Sequence, residues 1–361
     1  MRVIIMAGGT GGHVFPALAI ARVLRLRGDD VLWLGTQHGL EVEKVPAEKF
    51  PIFYLPLSGL RKKNSRQKII AIFQLIRAIF QAIAIIRREN PDIVLGMGGY
   101  ASGPGGIAAW LLRKPLIIHE QNAVAGLTNR LLSPIATRVF TAFPNVLPKG
   151  ITVGNPVHEN IAALPSPQER FAIMARSDAR RPIRLLILGG SLGAQAINQS
   201  IPQALALIPE SDRPLVRHQT GIKHLTETQA IYQSLNIKAV IEPFIEDMAT
   251  AYGEADLVIC RAGALTVAEL AAAGIGSILI PYPHAVDDHQ TKNGEILVQA
   301  GAAVVVQQTE LTPEKLAEII LILNHANLLQ MAIAAYSQRN INATEKIVEQ
   351  IKREKKCPMR I

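Results

Sequence analysis

The sequence predicts an α/β protein built from two doubly wound, mostly parallel sheets. Short runs rich in Val, Ile and Leu, ending near glycine, alternate with helix-like stretches along all 361 residues. That is the pattern of strands buried on both faces. The same opening occurs twice: Val3-Ile-Ile-Met-Ala-Gly-Gly-Thr-Gly-Gly, and Leu185-Leu-Ile-Leu-Gly-Gly-Ser-Leu-Gly-Ala. Each is a strand, a glycine turn and a helical pattern. The length exceeds one ordinary domain and suits two.

In chain order, strands are expected at 3–7, 31–35, 93–96, 116–119 and 138–141 in the first half. In the second half they are expected at 184–189, 215–219, 239–241, 257–260, 277–281 and 303–306. The change of domain falls between 153 and 184, where Pro156, Pro165 and Pro167 precede a basic run ending Arg180-Arg181-Pro182. The expected division is 1–155, 156–336 and a C-terminal helix in 337–361 that crosses back onto the first domain. Residues 69–86 are nearly all apolar and close to the minimum length of a membrane span. Gln74, Arg77 and Gln81 lie three and four apart and form one polar stripe, so the segment reads as an amphipathic helix. Arg61, Lys62, Lys63, Arg66, Lys68, Arg77, Arg87 and Arg88 accompany it with no acid among them. A wide apolar face with a basic flank fits contact with anionic lipid.

Composition narrows the partners. Apolar residues are 49% and charged residues 19%, so the chain can build packed cores. Cys260 and Cys357 make neither a disulfide framework nor a metal cluster, which points to a reducing cytoplasm. The apolar N-terminal run is too short for a signal peptide and reads as the first strand. A formal charge of +9 calls for a polyanionic partner: nucleic acid, anionic lipid or a phosphorylated substrate. With aromatics at 5% and no nucleic-acid motif, nucleic acid ranks last.

Glycine turns after strands let backbone N–H groups approach a phosphate, helped by the positive end of the next helix. Gly8, Gly9, Gly11 and Gly12 fit that use, as do Gly189, Gly190 and Gly193. The second strand ends Leu32-Trp33-Leu34-Gly35-Thr36 without the acid of a dinucleotide-binding fold, and neither turn carries Gly-Lys-Ser/Thr. In Cys260-Arg-Ala-Gly-Ala-Leu-Thr-Val-Ala-Glu, Thr266 and Glu269 stand at capping-box spacing. The functional alternative is a helix start facing a nucleotide diphosphate, with Arg261 nearby and Glu269 accepting from two ribose hydroxyls. The loop Pro281-Tyr-Pro-His-Ala-Val-Asp-Asp-His-Gln holds Gln290, which could read sugar hydroxyls. Asp287-Asp288 lacks further ligands at metal spacing, so no site metal is expected.

Gly8-Gly-Thr-Gly-Gly-His-Val-Phe-Pro-Ala, Gly96-Met-Gly-Gly-Tyr-Ala-Ser-Gly-Pro, His119-Glu-Gln-Asn, Val153-Gly-Asn-Pro-Val, Gly189-Gly-Ser-Leu-Gly-Ala and the Cys260–Glu269 block occur in this order. Together they resemble the MurG family, glycosyltransferases that act on the lipid-linked muramyl-peptide precursor of peptidoglycan. The resemblance implies a GT-B architecture: two Rossmann-like domains with parallel sheets and an interdomain cleft. It implies inverting transfer of N-acetylglucosamine from UDP-N-acetylglucosamine, forming a β-1,4 linkage and releasing UDP, with no cofactor. The donor belongs with the second domain and the polyprenyl-pyrophosphoryl muramyl-peptide with the first. Donor contacts carry over to Ser191, Ile245, Gly263, Ala264, Leu265, Thr266, Glu269, Gln290 and Asn122, with Thr10, Gly11 and Gly12 beside the sugar. His158 departs from the family, which often has arginine there. The implied location is peripheral, on the cytoplasmic face of the bacterial plasma membrane, with room for other cell-wall synthesis proteins as partners.

Inverting transfer needs a base for the acceptor hydroxyl and stabilisation of the leaving diphosphate. His13, just after the first glycine turn, is a candidate base, and an imidazole suits work near neutral pH. Glu120 is the competing base. Gly9, Gly98, Gly99, Tyr100 and Ser102 are candidates to approach the acceptor pyrophosphate. Two rivals are a transferase of the same architecture with another acceptor, and a UDP-N-acetylglucosamine 2-epimerase.

Overall fold

All eleven expected strands form, and two more join them in two wholly parallel sheets. The first sheet contains β1 (Arg2–Met6), β2 (Asp30–Thr36), β3 (Ile52–Leu55), β4 (Ile93–Gly96), β5 (Leu116–Glu120), β6 (Arg138–Thr141) and β7 (Ile151–Thr152). Its order is β3-β2-β1-β4-β5-β6-β7. The second contains β8 (Arg184–Leu188), β9 (Leu215–Gln219), β10 (Ala239–Glu242), β11 (Leu257–Cys260), β12 (Gly276–Leu279) and β13 (Ala303–Val305), in the order β10-β9-β8-β11-β12-β13. This computed structural model describes residues 1–57, 65–177, 181–190 and 193–356. The chain divides into two units, Met1–Val157 with Ile341–Ile361, and His158–Asn340.

Period-two alternation fills both faces of the first sheet. Val3, Ile5, Trp33, Leu95 and Ile117 face one core with the helix Gly11–Leu26. Ile4, Met6, Leu34, Val94 and Ile118 face the other, beneath the helices Ser65–Glu89 and Ser102–Leu111. The helix Ala343–Lys356 closes the first core with Ile347, Val348 and Ile351. Ion pairs from Lys355 to Asp92 (3.2 Å) and from Lys352 to Asp29 (3.4 Å) help to hold it.

The strand order fixes where ligands can bind. β1 lies between β2 and β4, and β8 lies between β9 and β11. The order reverses direction at those strands, leaving a crevice at their carboxyl ends. In the first unit the loops after β1, β4 and β5 therefore share one end of the sheet. In the second unit the loops after β8, β11 and β12 do.

The helix Ser65–Glu89 forms, with Arg77 and Gln81 of the polar stripe exposed and the apolar residues divided between the interior and the surface. Ala71 is buried, and Ala78, Ala82, Ile85 and Ile86 pack into the core on this face of the sheet. Phe73 and Phe80 are 69% and 67% exposed, with Ile70, Ile72 and Ile76 also outward. Small residues let the helix sit close to its neighbours, which leaves the bulky apolar side chains outside. Gln81 donates to the Tyr54 carbonyl at 3.1 Å. By length and composition Ile70–Glu89 could also cross a membrane. Arg61, Lys62, Lys63, Cys357 and the side chains of Arg66 and Lys68 lie outside the described residues.

Candidate active site

In the first unit, three loops converge on His13. It is the third residue of the helix Gly11–Leu26, in the first turn, and the N-cap is Thr10. Thr10 caps with its carbonyl, which accepts from the N–H of His13 (3.1 Å) and Val14 (3.2 Å). Its hydroxyl makes no cap bond and is exposed beside Gly11 and Gly12. The loop after β4 packs directly on this turn. Gly98 and Gly99 have φ of +89° and +81°, where a side chain is strained. A Cβ on Gly99 would lie 2.4 Å from the Gly8 carbonyl oxygen, and one on Gly98 would lie 2.8 Å from the His13 ring. Only glycine permits both approaches. Tyr100, on the same loop, is 41% exposed.

Three expectations change here. Gly9 cannot offer its amide to a phosphate, because its N–H donates to the buried Glu41 carboxylate at 2.8 Å. Glu41 also accepts from the N–H (3.1 Å) and hydroxyl (2.7 Å) of Thr36, so the turn is organised around a carboxylate. Ser102 is fully buried, its hydroxyl facing the carbonyls of Gly98 (2.7 Å) and Met6 (2.9 Å). Its side chain ties the glycine loop to β1 instead of reaching a ligand. Glu120, the competing base, is also buried. One of its oxygens accepts from the N–H (3.0 Å) and Nδ2 (3.2 Å) of Asn122. The other accepts from the N–H of Gly126 (3.0 Å) and Nδ2 of Asn129 (2.8 Å). A carboxylate has about four lone-pair sites, and these four donors fill them. Glu120 holds the loop 121–129 in shape and positions Asn122.

His13 keeps a direct chemical handle. Its Nδ1 lies 3.1 Å from Oε1 of Gln121, and the residue is only half-buried. Gln121 and His119, which share the motif with Glu120, are functional candidates that motif reading passed over.

In the second unit the helix Ala264–Ala273 starts earlier than a capping box requires. Its N-cap is Gly263, and no side chain caps it. Thr266 and Glu269 therefore lie inside the helix, and their spacing is not a cap. The half-buried Glu269 accepts from the hydroxyl of the buried Tyr252 at 3.1 Å. Burial pushes its carboxyl up from 4.5 to about 7, against the lowering effect of the Tyr252 bond. The N–H groups of its first turn give this helix start a positive end. Arg261 has a different job from free charge: it donates to the carbonyls of Ile280 and Pro281 at 3.1 Å each and to Gln308 at 2.7 Å. It thereby braces the loop after β12. Gln290 opens the next helix, His289–Gln299, and its Oε1 accepts from the N–H of Tyr282 on that loop at 2.8 Å, which fixes where Gln290 stands.

Gly190 and Gly193, after β8, have φ of +77° and +78°, and a Cβ on Gly193 would meet the Thr220 carbonyl oxygen at 2.5 Å. Ser191 lies outside the described residues. Ile245 is buried, and its N–H donates to Oε1 of Gln219 at 2.9 Å, so a base approaching this backbone would meet the carbonyl. His158 accepts from the Asn160 N–H at 3.3 Å and caps the helix Glu159–Ala162. Among the described residues no three of His, Cys, Asp and Glu come together as metal ligands.

Two doubly wound units with glycine turns at their switch points define a protein of two Rossmann-like domains. Residues 3–141 match the glycosyltransferase family 28 N-terminal domain, and residues 184–351 match the family 28 C-terminal domain. The chain is 54% identical over 352 residues to the UDP-N-acetylglucosamine–N-acetylmuramyl-(pentapeptide) pyrophosphoryl-undecaprenol N-acetylglucosamine transferase of Marinobacter nauticus, covering 96% of each chain. It is 56% identical over 319 residues to the enzyme of the same name from Alkalilimnicola ehrlichii, covering 88% of each. The crystal structure of Acinetobacter baumannii MurG superposes with a TM-score of 0.84 at 42% identity, over 98% of this chain and 99% of that one. The chain belongs to this MurG family of N-acetylglucosamine transferases. A UDP-N-acetylglucosamine 2-epimerase from Neisseria meningitidis shares the fold alone, with a TM-score of 0.65 at 16% identity over 98% of this chain and all of that one.

Proposed function

We infer that this chain transfers N-acetylglucosamine from UDP-N-acetylglucosamine to the C4 hydroxyl of undecaprenyl-pyrophosphoryl-N-acetylmuramoyl-pentapeptide, in peptidoglycan synthesis. The observation that carries this is the 54% identity maintained over 96% of the chain with a transferase of that name. In the proposed reaction Nε2 of His13 takes the acceptor proton as the oxygen attacks the anomeric carbon from the face opposite UDP. Attack from that side inverts the configuration and gives a β-1,4 linkage. Glu269 receives the ribose hydroxyls, and Gln290 and Asn122 read the sugar. Glycine-turn amides and the positive end of the helix Ala264–Ala273 stabilise the leaving diphosphate without a metal cofactor. Tyr100 and the backbone of Gly98 and Gly99 face the acceptor pyrophosphate.

The reading includes peripheral attachment to the cytoplasmic face of the plasma membrane. The outward Phe73, Ile76 and Phe80 support it, as do Trp110, Leu111, Leu127 and Leu131 on the next two helices of the same layer. Exposed Arg77, Arg87, Arg88, Arg113 and Arg130 supply charge for anionic headgroups. Contacts with other wall-synthesis proteins, and roles in cell shape and division, would follow from that location.

Donor turnover with and without acceptor tests the reading. UDP release that requires the lipid-linked muramyl-pentapeptide is expected. Acceptor-independent formation of UDP-N-acetylmannosamine would instead reveal an epimerase.

A further inference from the structure

We propose that Gln121 is a positioning residue that, together with His119, fixes the tautomer of His13 so that Nε2 is the atom left to accept a proton. The proposal rests on the reading of His13 as the base and goes beyond it, because it names the groups that make His13 competent.

The buried carbonyl of Gly154 orients the whole relay. Nε2 of His119 lies 2.9 Å from the Gly154 carbonyl oxygen, which can only accept, so Nε2 carries the hydrogen. His119 is fully buried, and burial holds its pKa down to about 4, so the ring is neutral and Nδ1 is an acceptor. Gln121 faces that Nδ1 at 3.2 Å and the Met97 carbonyl at 3.0 Å. Both are acceptors, so the amide nitrogen must occupy that side, where it uses both hydrogens. Oε1 is thereby turned to Nδ1 of His13 at 3.1 Å. An amide oxygen cannot donate, so the neutral His13 ring carries its hydrogen on Nδ1 and its lone pair on Nε2. The loop itself is held: Nδ2 of Asn155 donates to the Gln121 carbonyl at 3.0 Å. Every hydrogen in the chain Gly154–His119–Gln121–His13 has one possible place. Free imidazole has no such constraint, so the fold imposes the tautomer through two residues that need not touch substrate. When Nε2 takes up the acceptor proton, Nδ1–H still donates to Oε1, and nothing in the relay has to reorganise.

The test uses histidine-selective ¹⁵N NMR on the full chain at alkaline pH, with the His13 signals assigned by their loss in His13→Ala. The wild type should show a protonated Nδ1 and an unprotonated Nε2 at His13. Gln121→Met, similar in length but without hydrogen bonds, should shift His13 toward the Nε2–H form that free imidazole favours. It should also lower kcat about 10- to 100-fold, with the donor KM nearly unchanged. A merely structural role for Gln121 would not move the tautomer. A wild-type His13 with Nε2–H, or an unchanged tautomer in Gln121→Met, overturns the proposal, and the wild-type spectrum alone decides if that variant does not fold. The expected wild-type tautomer combined with full activity of His13→Ala would remove the base assignment and leave the relay standing.

Discussion

Glu269→Gln should make the second unit more stable at alkaline pH while weakening nucleotide binding. The wild-type carboxyl rises from 4.5 to about 7 because the fold removes much of its water. A raised pKa means the native state holds the proton more tightly than the unfolded chain. The stability this contributes is present below pH 4.5 and declines as pH rises to about 7. The whole decline amounts to about 3 kcal/mol, and to about 2 kcal/mol once the water reaching the half-buried group is allowed for. Glutamine keeps an oxygen for the Tyr252 hydroxyl and carries no charge. The variant should therefore match wild type near pH 4.5 and exceed it by about 2 kcal/mol at pH 8. Urea denaturation at pH 5 and pH 8 without nucleotide measures this directly. Calorimetric titration with UDP provides the functional half: wild-type affinity should climb as pH passes about 7, while the variant's stays low and flat. A variant that gains nothing over wild type between those pH values would refute the claim that burial strains this carboxylate.

Other expectations follow from the first unit. His13→Ala should cut kcat by about 10² to 10⁴ in steady-state transfer assays, and wild-type turnover would remove it from the chemistry. Gly98→Ala places a methyl 2.8 Å from the His13 ring at φ +89°. It should cost about 1–2 kcal/mol in denaturant melts and lower kcat as His13 is pushed aside. Glu120→Gln turns an amide NH₂ toward groups that themselves donate, so loop 121–129 should lose protection in hydrogen exchange, at about 1–3 kcal/mol. Phe73→Ser with Phe80→Ser should reduce sedimentation with phosphatidylglycerol vesicles and leave activity on a water-soluble acceptor intact.

Much of the fold was legible because buried parallel strands announce themselves as apolar runs. β3 escaped notice because Pro51 and Pro56 bracket it at the sheet edge, where Ile52–Leu55 resembles an extended linker. β7 is two residues long, too short for any periodicity. The stripe of Gln74, Arg77 and Gln81 marked the helix Ser65–Glu89 as amphipathic, and Arg77 and Gln81 are exposed. Which apolar residues turn inward was not legible, because the size of Ala78 and Ala82 decides it. At the site, motif spacing located the loops but not the work of each side chain. Thr266 and Glu269 have the spacing of a capping box, yet the helix starts three residues earlier than Thr266, at Gly263 as N-cap. Glu120 has the chemistry of a base, yet four donors from its own loop surround it. Glu41, Tyr252 and Gln121 carry no local signal. The partners that give them their roles, Gly9, Glu269 and His13, are 32, 17 and 108 residues away, so only the folded chain reveals them.

The most direct measurement supplies UDP-[¹⁴C]N-acetylglucosamine and undecaprenyl-pyrophosphoryl-muramoyl-pentapeptide to the full chain and follows label into the lipid. Label should enter the lipid with one UDP released per sugar, in a β-linkage, and His13→Ala should nearly abolish it. Label that stays on the nucleotide, or enters the lipid equally fast without His13, would contradict the account.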